Sequence, residues 1–577
     1  REGDGYGLSK NILDKLSKEG VKLVFTVDNG ISAYEEVQYA KTLGIDCVIT
    51  DHHRPPDIIP DASAVVNPYR KDCTSKFKCF SGVGVAFKAV CALEKGRSSL
   101  EELICEYADL VTIGTIGDFI ELTGETRDIV RRGLKIISNT NRPGIRVILE
   151  NMGIYKKQLD TANIVFGIVP RINVSGRIDR ADKSVELLLS DNTHDASEIF
   201  REINEKNHTR RNTELEIYKC IEQQLRDEPW RKYEKIIIVE GENWHQGVLG
   251  IVASRMVKKY GKPCILMTFD NENAKGSCRS VEGFSIHDAI SSCSEYLERF
   301  GGHPMAAGIN LKTENIGKFK KAILSYAESF GEFPFPCLNL DCKLNPAAIS
   351  AGMIDQLVKL KPFGSGNPEP VFGIYSLRLE TIRVIGGGKH LKLILRRGDV
   401  CIDAMYFGKP PSEFLYNPGE VLDLAASLHE NTFLWSNGVS LYISDVKLSD
   451  SDQREALTGQ RIYEKFKLGK PLTYDELKNL IPSRDDVACV YRYFGKYRGL
   501  LHRVDVIMAR IKSPSLSSAK IYAALDIITE LGIAEVDIKC DCFAVKLKFT
   551  DEKRDMNKSP TFQRLNSLAA LEEGSHD

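Results

Sequence analysis

Residues 46–53 read Asp46-Cys47-Val48-Ile49-Thr50-Asp51-His52-His53, an apolar run that ends in an aspartate and two histidines. The run predicts a short buried strand, and in open α/β sheets ligands bind beyond the carboxyl ends of strands. Neutral imidazole is the commonest protein ligand for metals. Taken alone, such a pair is more often a polar strand end whose histidines lie in water. A metal site therefore needs support from a second strand end.

That support lies upstream, where Val21–Val27 predicts another buried strand that ends in Asp28. A helical pattern with Ala33, Val37 and Ala40 on one face separates the two strands. Strands that alternate with short helices indicate βαβ units and a parallel sheet. Because parallel strands end at one edge of a sheet, we expect Asp28 to lie close to the Asp51-His52-His53 group.

A third carboxylate, Asp118, follows the strand-like apolar run Leu110–Gly117. One aspartate after a strand is often only a helix N-cap, but three such ends are harder to explain by capping. Carboxylates mixed with imidazole favour Mn²⁺ or Mg²⁺. Two such ions about 3.5–4 Å apart would clamp an in-line displacement at phosphorus. The sequence therefore predicts a two-metal phosphoesterase site.

The composition of the 577 residues is that of a globular protein with several domains: 42% are hydrophobic and 27% are charged. No apolar run approaches ~18 residues and no signal peptide is evident, so we predict no membrane segment. The 15 cysteines are scattered and form no C-x₂-C pair, which favours a reducing cytoplasm over disulfides or structural zinc. A net charge of −1 does not by itself indicate a nucleic-acid partner.

Changes of pattern along the chain predict six segments. They are an α/β domain with a parallel sheet over residues 1–192, a connecting helix over 193–228, a second α/β domain over 229–333, an OB-fold-like barrel over 334–450, a winged-helix-like α+β domain over 451–550 and a flexible tail over 551–577.

Several of these motifs resemble the DHH phosphoesterase family. The resemblance is carried by Thr50–His53, Val27–Gly30, Ile116–Asp118 and the Gly-Gly-His motif Gly301–Gly308 of the DHH-associated domain. Two further runs, Trp244–Arg255 and Leu360–Pro370, are typical of the RecJ branch. The resemblance covers roughly residues 5–450 in the right order, and it makes 1–192 the DHH catalytic domain and 229–333 the DHH-associated, substrate-binding domain.

The resemblance implies a single-strand-specific 5′→3′ DNA exonuclease that releases mononucleotides in recombination and repair with two divalent cations, Mn²⁺ or Mg²⁺. By motif position, Asp28, His52 and Asp118 are expected to ligate metal. Asp51 is expected to orient His52, and His53 to lie beside the scissile phosphate. The expected substrate-binding residues are Arg177, in a polar glycine-containing loop, and Ser277, Arg279, Gly301, Gly302 and His303.

Other expectations concern partners. The expected substrate is single-stranded DNA with a 5′ end. We expect the protein to be a monomer that interacts with single-strand-binding protein and a helicase. Basic residues within the barrel, with Phe372, Tyr375 and Tyr406 as candidate stacking platforms or core residues, favour a nucleic-acid groove. Basic and aromatic residues also interleave over residues 487–512, where a solvated helical face is an equal alternative.

Two competing functions stay open at this point. One is a DHH phosphodiesterase of short oligonucleotides or cyclic dinucleotides, although such chains usually end soon after the Gly-Gly-His motif. The other is a non-catalytic DNA-binding scaffold, although a scaffold need not keep Asp28, His52, His53 and Asp118.

The family's first motif, a D-x-D pair on the first strand, should lie upstream of Gly3-Asp4-Gly5-Tyr6-Gly7, and the sequence begins at Arg1. We therefore expect an upstream segment that carries the first strand. We predict that residues 1–577 alone are weak or inactive as a nuclease, because one cation would lose much of its ligand set. Full Mn²⁺-dependent activity of this purified chain on 5′-phosphorylated single strands would contradict the prediction.

Overall fold

The computed structural model describes residues 7–178, 181–430, 438–539, 542–548 and 554–573. The chain divides into two compact units. The first runs to Thr213 and also includes Gln356–Glu369, and the second contains Glu214–Asp355 and the chain from Pro370 onward. Within the described ranges, no helix is long and apolar enough to cross a membrane.

A parallel sheet positions the candidate site in the first unit. Its strands are β1 (Leu23–Val27), β2 (Asp46–Thr50) and β3 (Ala64–Val66), in that order. Helices α1 (Lys10–Lys18) and α2 (Tyr34–Thr42) contribute to an apolar core with β2. Val27 pairs with Thr50, so the residues that follow them leave the sheet at the same edge. The predicted parallel sheet is confirmed.

The rest of the first unit is helical. Its helices are α3 (Gly82–Leu93), α4 (Leu100–Gly117), α5 (Gly124–Ser138), α6 (Pro143–Asn151), a π-helical turn (Asn163–Ile168), α7 (Val169–Ile178), α8 (Asp182–Leu189) and the start of α9 (Thr193–Asp227). The long helix α9 begins in the first unit and ends in the second, because Phe200 lies in one apolar core and Ile221 in another.

Two sequence-based assignments in this unit are wrong. The run Leu110–Gly117, taken for a strand, is the last half of α4, which begins with a capping box between Ser99 and Glu102. Val111, Thr112, Ile113, Thr115 and Ile116 are all buried, because α4 packs against α3 and α5. A helix buried on several sides carries no amphipathic period, so its apolar run is easily mistaken for a strand. The second error concerns the expected loop around Arg177, whose backbone belongs to α7.

The second unit begins with a mixed sheet. Its elements are β4 (Ile237–Glu242), α10 (Gln246–Tyr260), β5 (Cys264–Phe269), β6 (Asn273–Arg279), α11 (Ile286–Ser291), β7 (Arg299–His303), β8 (Ala306–Lys312) and α12 (Ile316–Ser329). The strand order is β4-β5-β6-β8-β7, and only the β4–β5 pair is parallel.

A closed barrel of OB type follows. After β9 (Cys342–Lys343) and α13 (Ala351–Val358) come β10 (Phe372–Ile385), β11 (His390–Arg397), β12 (Val400–Tyr406), β13 (Val421–Glu430) and β14 (Val439–Leu448). The sheet order is β11-β12-β14-β13-β10, and β10 pairs with β11 to close the ring. Gly386, Gly387 and Gly388 all have positive φ and form the predicted hairpin turn. Phe372 is only 6% exposed and so belongs to the barrel core.

The remaining elements are α14 (Gln453–Lys467), α15 (Tyr474–Leu480), α16 (Arg484–Lys496), β15 (Leu501–His502), α17 (Val504–Ile511), α18 (Ser518–Glu530), β16 (Ala534–Lys539), β17 (Cys542–Leu547) and α19 (Pro560–Glu573). The predicted flexible tail over 551–577 is wrong for α19, because Leu565 is fully buried against the helices of this region. The winged-helix assignment stays a prediction.

Part of the basic pattern over residues 487–512 stabilises the fold. Arg503 forms two hydrogen bonds to Asp505, and Arg510 forms two to Glu420 on the barrel. Lys512 forms an ion pair with Asp450. Cationic groups that are paired with carboxylates in this way are less available to phosphate, so these three residues weaken the nucleic-acid interpretation of the pattern.

Candidate metal centre

Asp28 lies in a tight turn directly after β1. Its φ of +66° is in the left-handed region, which aspartate visits more readily than most residues. Its N–H donates to the carbonyl of Thr50 at 3.0 Å. Gly30 follows in the same turn with φ of +106°. This position requires glycine, because a Cβ there would lie 2.9 Å from Thr26 Oγ1. The turn holds the Asp28 carboxylate beside the end of β2.

His52 brings two carboxylates together. Its Nε2 lies 3.0 Å from Oδ1 of Asp28 and 3.3 Å from Oδ2 of Asp118. Asp118 is the C-terminal capping residue of α4, and its N–H donates to the carbonyl of Gly114 at 2.9 Å. The three residues expected to ligate metal therefore converge from three separate elements.

Asp51 supports His53, so the expectation that it orients His52 is wrong. Its Oδ1 lies 2.7 Å from Nδ1 of His53 and accepts the N–H groups of both histidines, while Oδ2 accepts the N–H of Ile31. The carboxylate folds back under its own loop to accept these N–H groups, which aims it at the His53 ring. Nδ1 of His53 is therefore occupied, and Nε2 is left for a ligand or a phosphate.

The carboxylates and imidazoles change one another's protonation. Burial would raise the pKa of Asp51, but hydrogen bonds from the His53 ring and from the N–H groups of Ile31 and His53 lower it to about 2. Burial lowers the pKa of His52, but the Asp28 and Asp118 carboxylates outweigh it and raise that pKa above the ordinary value. Burial raises the pKa of Asp118. The site thus concentrates negative charge that a cation would neutralise.

The donor set fits a divalent cation. Asp28, His52 and His53 each offer a ligand atom, and these atoms lie within 4.8 Å of one another. Oδ1 of Asp28 and Nε2 of His52 are buried and, among the described residues, neither has a hydrogen bond of acceptable geometry. Buried polar atoms that face one another without a well-formed hydrogen bond are costly, and a cation bound by both would remove that cost. Their role as ligands stays a prediction.

Gly82, the first residue of α3, is a site residue that the sequence interpretation missed. A Cβ at this position would lie 2.3 Å from both Cβ and Oδ1 of Asp28. The helix can therefore approach the carboxylate only because residue 82 has no side chain. Two glycines close together at a helix start, Gly82 and Gly84, are the signal that could have indicated such an approach.

Gly82→Ala should push the Asp28 carboxylate out of place and weaken Mn²⁺ affinity at least about tenfold, the range found for residues that orient ligands. Isothermal titration with Mn²⁺ measures the change. Gly84→Ala is the matched control in the same helix, because its Cβ would lie 3.2 Å from the nearest atom, on the Phe80 ring. Equal Mn²⁺ affinity in the two variants would contradict the role of Gly82.

A second group of candidate residues lies in the second unit, on β6. Arg279 donates to Oγ of Ser277 at 3.1 Å and to the carbonyl of Cys278. Burial lowers the pKa of Arg279, and within the described ranges no carboxylate forms an ion pair with it. A Cβ on Gly250 of α10 would lie 2.6 Å from Nη2 of Arg279, so this glycine makes room for the guanidinium. A partly buried guanidinium without a carboxylate partner suits an anion.

The Gly-Gly-His motif lies two strands away on the same sheet. Ser277 pairs with Gly308, which pairs with Gly301, and Arg279 connects through Ala306 to His303 in the same way. Directly paired residues in an antiparallel sheet share a face, so His303 is on the face of Arg279. Gly302 has φ of +146°, and a Cβ there would lie 2.3 Å from the carbonyl of Ala306. The side chain of Arg177 lies outside the described residues.

Known proteins resemble the chain over most of its length. Family models match residues 5–115 as the DHH family N-terminal domain, 233–329 as the DHHA1 domain and 340–445 as the RecJ OB domain. The single-stranded-DNA-specific exonuclease RecJ of Salmonella typhimurium is 33% identical over 475 residues, which cover 77% of this chain and 80% of the relative. The chain belongs to the RecJ family.

Other RecJ proteins give the same result. RecJ of Bacillus subtilis is 35% identical over 470 residues, which are 80% of this chain but only 58% of that relative. The crystal structure of RecJ in complex with Mn²⁺ from Thermus thermophilus superimposes with a TM-score of 0.65 at 29% identity, over 77% of this chain and 64% of that one. The RecJ complex with Mg²⁺ from the same organism gives 0.57 at 26% identity, over 76% and 69%. The predicted RecJ membership is confirmed.

Proposed function

We propose that this RecJ-family chain is a metal-dependent exonuclease that hydrolyses single-stranded DNA from its 5′ end and releases mononucleotides, in recombination and repair. One observation carries the proposal: the side chains of Asp28, His52 and Asp118 meet at the carboxyl edge of the parallel sheet. Carboxylate and imidazole groups in one cluster suit Mn²⁺ or Mg²⁺. The RecJ names of the relatives and the metal complexes from Thermus support the assignment.

In this proposal Asp28, His52 and Asp118 hold divalent cations, two in all as in the two-metal phosphoesterases. Bound cations of this kind polarise phosphate oxygens and activate a water for in-line attack. His53 presents Nε2 to the scissile phosphate, because its Nδ1 is held by Asp51 at 2.7 Å. Asp51 thus fixes the ring orientation and the tautomer of His53. Carboxylates that do not themselves bind the metal commonly have this role in metal sites.

The group on the second unit supplies the contacts to the DNA strand. Arg279 offers guanidinium donors to a 5′-phosphate, with Ser277 beside it at 3.1 Å. Gly301 and Gly302 expose backbone without side chains, and His303 is exposed on the same sheet. Arg177 belongs to the proposed substrate-binding set by its motif alone. A guanidinium binds phosphate through a fork of parallel N–H donors, which provides a preference for phosphorylated ends.

The test uses the product of the complete coding sequence with a single strand that is labelled at its 5′ or its 3′ end. We expect Mn²⁺-dependent release of mononucleotides, with the 5′ label released first and blunt duplex resistant. Loss of activity with a chelator should be reversed by Mn²⁺. Release of the 3′ label first would overturn the proposed polarity. Turnover of dinucleotides alone would support the small-substrate phosphodiesterase, and strand binding without hydrolysis would support the scaffold.

Gly250→Ala should reduce the preference for a 5′-phosphate over a 5′-hydroxyl strand by about tenfold, because its Cβ displaces the guanidinium of Arg279 and one charge-assisted bond is worth about 1.5–3 kcal/mol. The ratio of kcat/KM on the two strands measures it. Gly317→Ala, near the start of α12, is the control, since its Cβ would meet no atom within 4 Å. An unchanged ratio in Gly250→Ala would remove Arg279 from end recognition.

The barrel is proposed to bind the strand beyond the active site. Its basic residues are Arg378, Arg383, Lys389, His390, Lys392, Arg396 and Arg397. Lys392 forms an ion pair with Asp403 at 2.7 Å and Arg396 one with Glu380 at 3.8 Å, so the other basic residues carry more of the proposed interaction. We also propose the domain boundaries given by the sequence patterns up to residue 550, a monomeric state, a cytoplasmic location, and contacts with single-strand-binding protein and a helicase.

A further inference from the structure

The loop Leu360–Asn367 lies within Gln356–Glu369, a segment that belongs to the first unit although the chain before and after it belongs to the second. It forms most of the second RecJ-type run in the sequence, and neither the metal centre nor the DNA contacts described above include it. Asn367 closes the loop on itself: its Nδ2 donates to the carbonyls of Leu360 and Pro362 at 2.9 and 2.8 Å.

Further donors to the loop carbonyls come from separate parts of the first unit. Arg127 and Arg131 on α5 donate to the carbonyls of Leu360 and Lys361. Thr161 Oγ1 donates to the carbonyl of Phe363 at 2.7 Å. These donors lie on α5 and just before the π-helical turn. The loop is therefore fixed to the rest of the first unit at several points.

One bond reaches the segment that follows Asp118. The N–H of Leu122 donates to the carbonyl of Ser365 at 2.7 Å. Packing is close at the same place: a Cβ on Gly364 would lie 2.7 Å from Leu122 Cδ1, and a Cβ on Gly366 would lie 2.8 Å from Glu121 Cβ. The loop can therefore cover Glu121 and Leu122 only with glycine at these two positions.

Asp118 lies at the other end of that short segment. Its N–H and that of Ile120 are bound by the last turn of α4, at the carbonyls of Gly114 and Thr115. Phe119, between them, has φ of +56°, a conformation that a bulky residue keeps only when its surroundings enforce it. The helix end fixes this turn on one side, and the loop fixes it on the other through Leu122.

We propose that the Leu360–Asn367 loop is a positioning element for Asp118: it holds the 118–122 turn so that the carboxylate points to Nε2 of His52. This inference rests on the proposed function, because it takes Asp118 as a metal ligand. It assigns a role to a run of sequence more than 230 residues away from that ligand, on the evidence of the Ser365–Leu122 bond.

The test is a Mn²⁺ titration of the full chain by calorimetry, which needs no turnover. Gly366→Ala should weaken Mn²⁺ affinity by about 10–100-fold, the range for residues that orient ligands. Gly408→Ala is the matched control: it has the same φ of +69°, but its Cβ would meet no atom within 4 Å, so its affinity should stay within about twofold of the unmodified chain. Asn367→Ala, which opens the loop without a clash, should weaken binding in the same direction and carries the test if Gly366→Ala does not fold.

A double-mutant cycle separates positioning from general destabilisation. In an Asp118→Ala background, Gly366→Ala should cause no further loss of affinity, because it acts through the residue already removed. Additive losses, or normal Mn²⁺ affinity in both loop variants, would overturn the positioning role. If the Asp118→Ala variant alone binds Mn²⁺ normally, Asp118 is not a metal ligand. The positioning role proposed for the loop is then refuted as well.

Discussion

Replacing His52 with alanine in the product of the complete coding sequence should lower the Mn²⁺-dependent exonuclease rate on the order of 10³-fold, because the loss of a metal ligand raises the barrier by several kcal/mol. His52 is the side chain that both Asp28 and Asp118 face, at 3.0 and 3.3 Å. Without it the two carboxylates lose their common partner, and their mutual repulsion is no longer offset. The rate of mononucleotide release from a 5′-phosphorylated single strand measures the effect.

The control is His194→Ala, an exposed histidine on α9 of the first unit. It should keep the full rate and the same thermal midpoint as the unmodified protein. A His52→Ala protein that folds and keeps its nuclease rate would leave only the scaffold function. A partial loss that excess Mn²⁺ restores would instead be the behaviour of a weakened metal site.

Asp51→Asn is expected to have the second largest effect, a loss of Mn²⁺ affinity and of activity of about 10–100-fold. The carboxylate accepts the N–H groups of Ile31, His52 and His53 as well as the His53 ring, and it is 1% exposed. An amide has one acceptor oxygen, so its NH₂ group would face a donor and leave a buried group unpaired, at about 1–3 kcal/mol of unfolding free energy. Calorimetry with Mn²⁺ and urea unfolding measure the two effects.

Asp46→Asn provides the matched comparison, since Asp46 is an exposed carboxylate at the other end of β2. It should change neither Mn²⁺ affinity nor unfolding free energy by more than a small amount. The account of Asp51 fails if Asp51→Asn behaves like this control.

The sheet edge and the barrel could be predicted because their signals are local. The apolar runs before Asp28 and Asp51 are short and rich in β-branched residues, and the strands end where the polar residues begin. The turn at Gly386 to Gly388 requires positive φ, which glycine adopts without strain. Parallel pairing then places the two aspartates together without any further information.

The remaining features depend on packing that the sequence does not display. Helix α4 was mistaken for a strand because its apolar run is buried on several sides. The partner of Asp51 is decided by how its loop folds back, and His52 and His53 are equally near in sequence. Gly82 and Gly366 matter through contacts with Asp28 and Glu121, residues far away along the chain. Helix α19 mixes polar and apolar residues evenly, and Leu565 shows its packing only in three dimensions.

Asp28, His52 and Asp118 are proposed together to hold the divalent cations of the site. Crystals of the protein soaked in MnCl₂ and measured at the manganese absorption edge test this proposal most directly. If these side chains hold the cations, anomalous density is expected about 2–2.5 Å from Nε2 of His52 and from carboxylate oxygens of Asp28 and Asp118. A peak that contacts none of these three side chains, or no peak in crystals whose site is open to solvent, would contradict it.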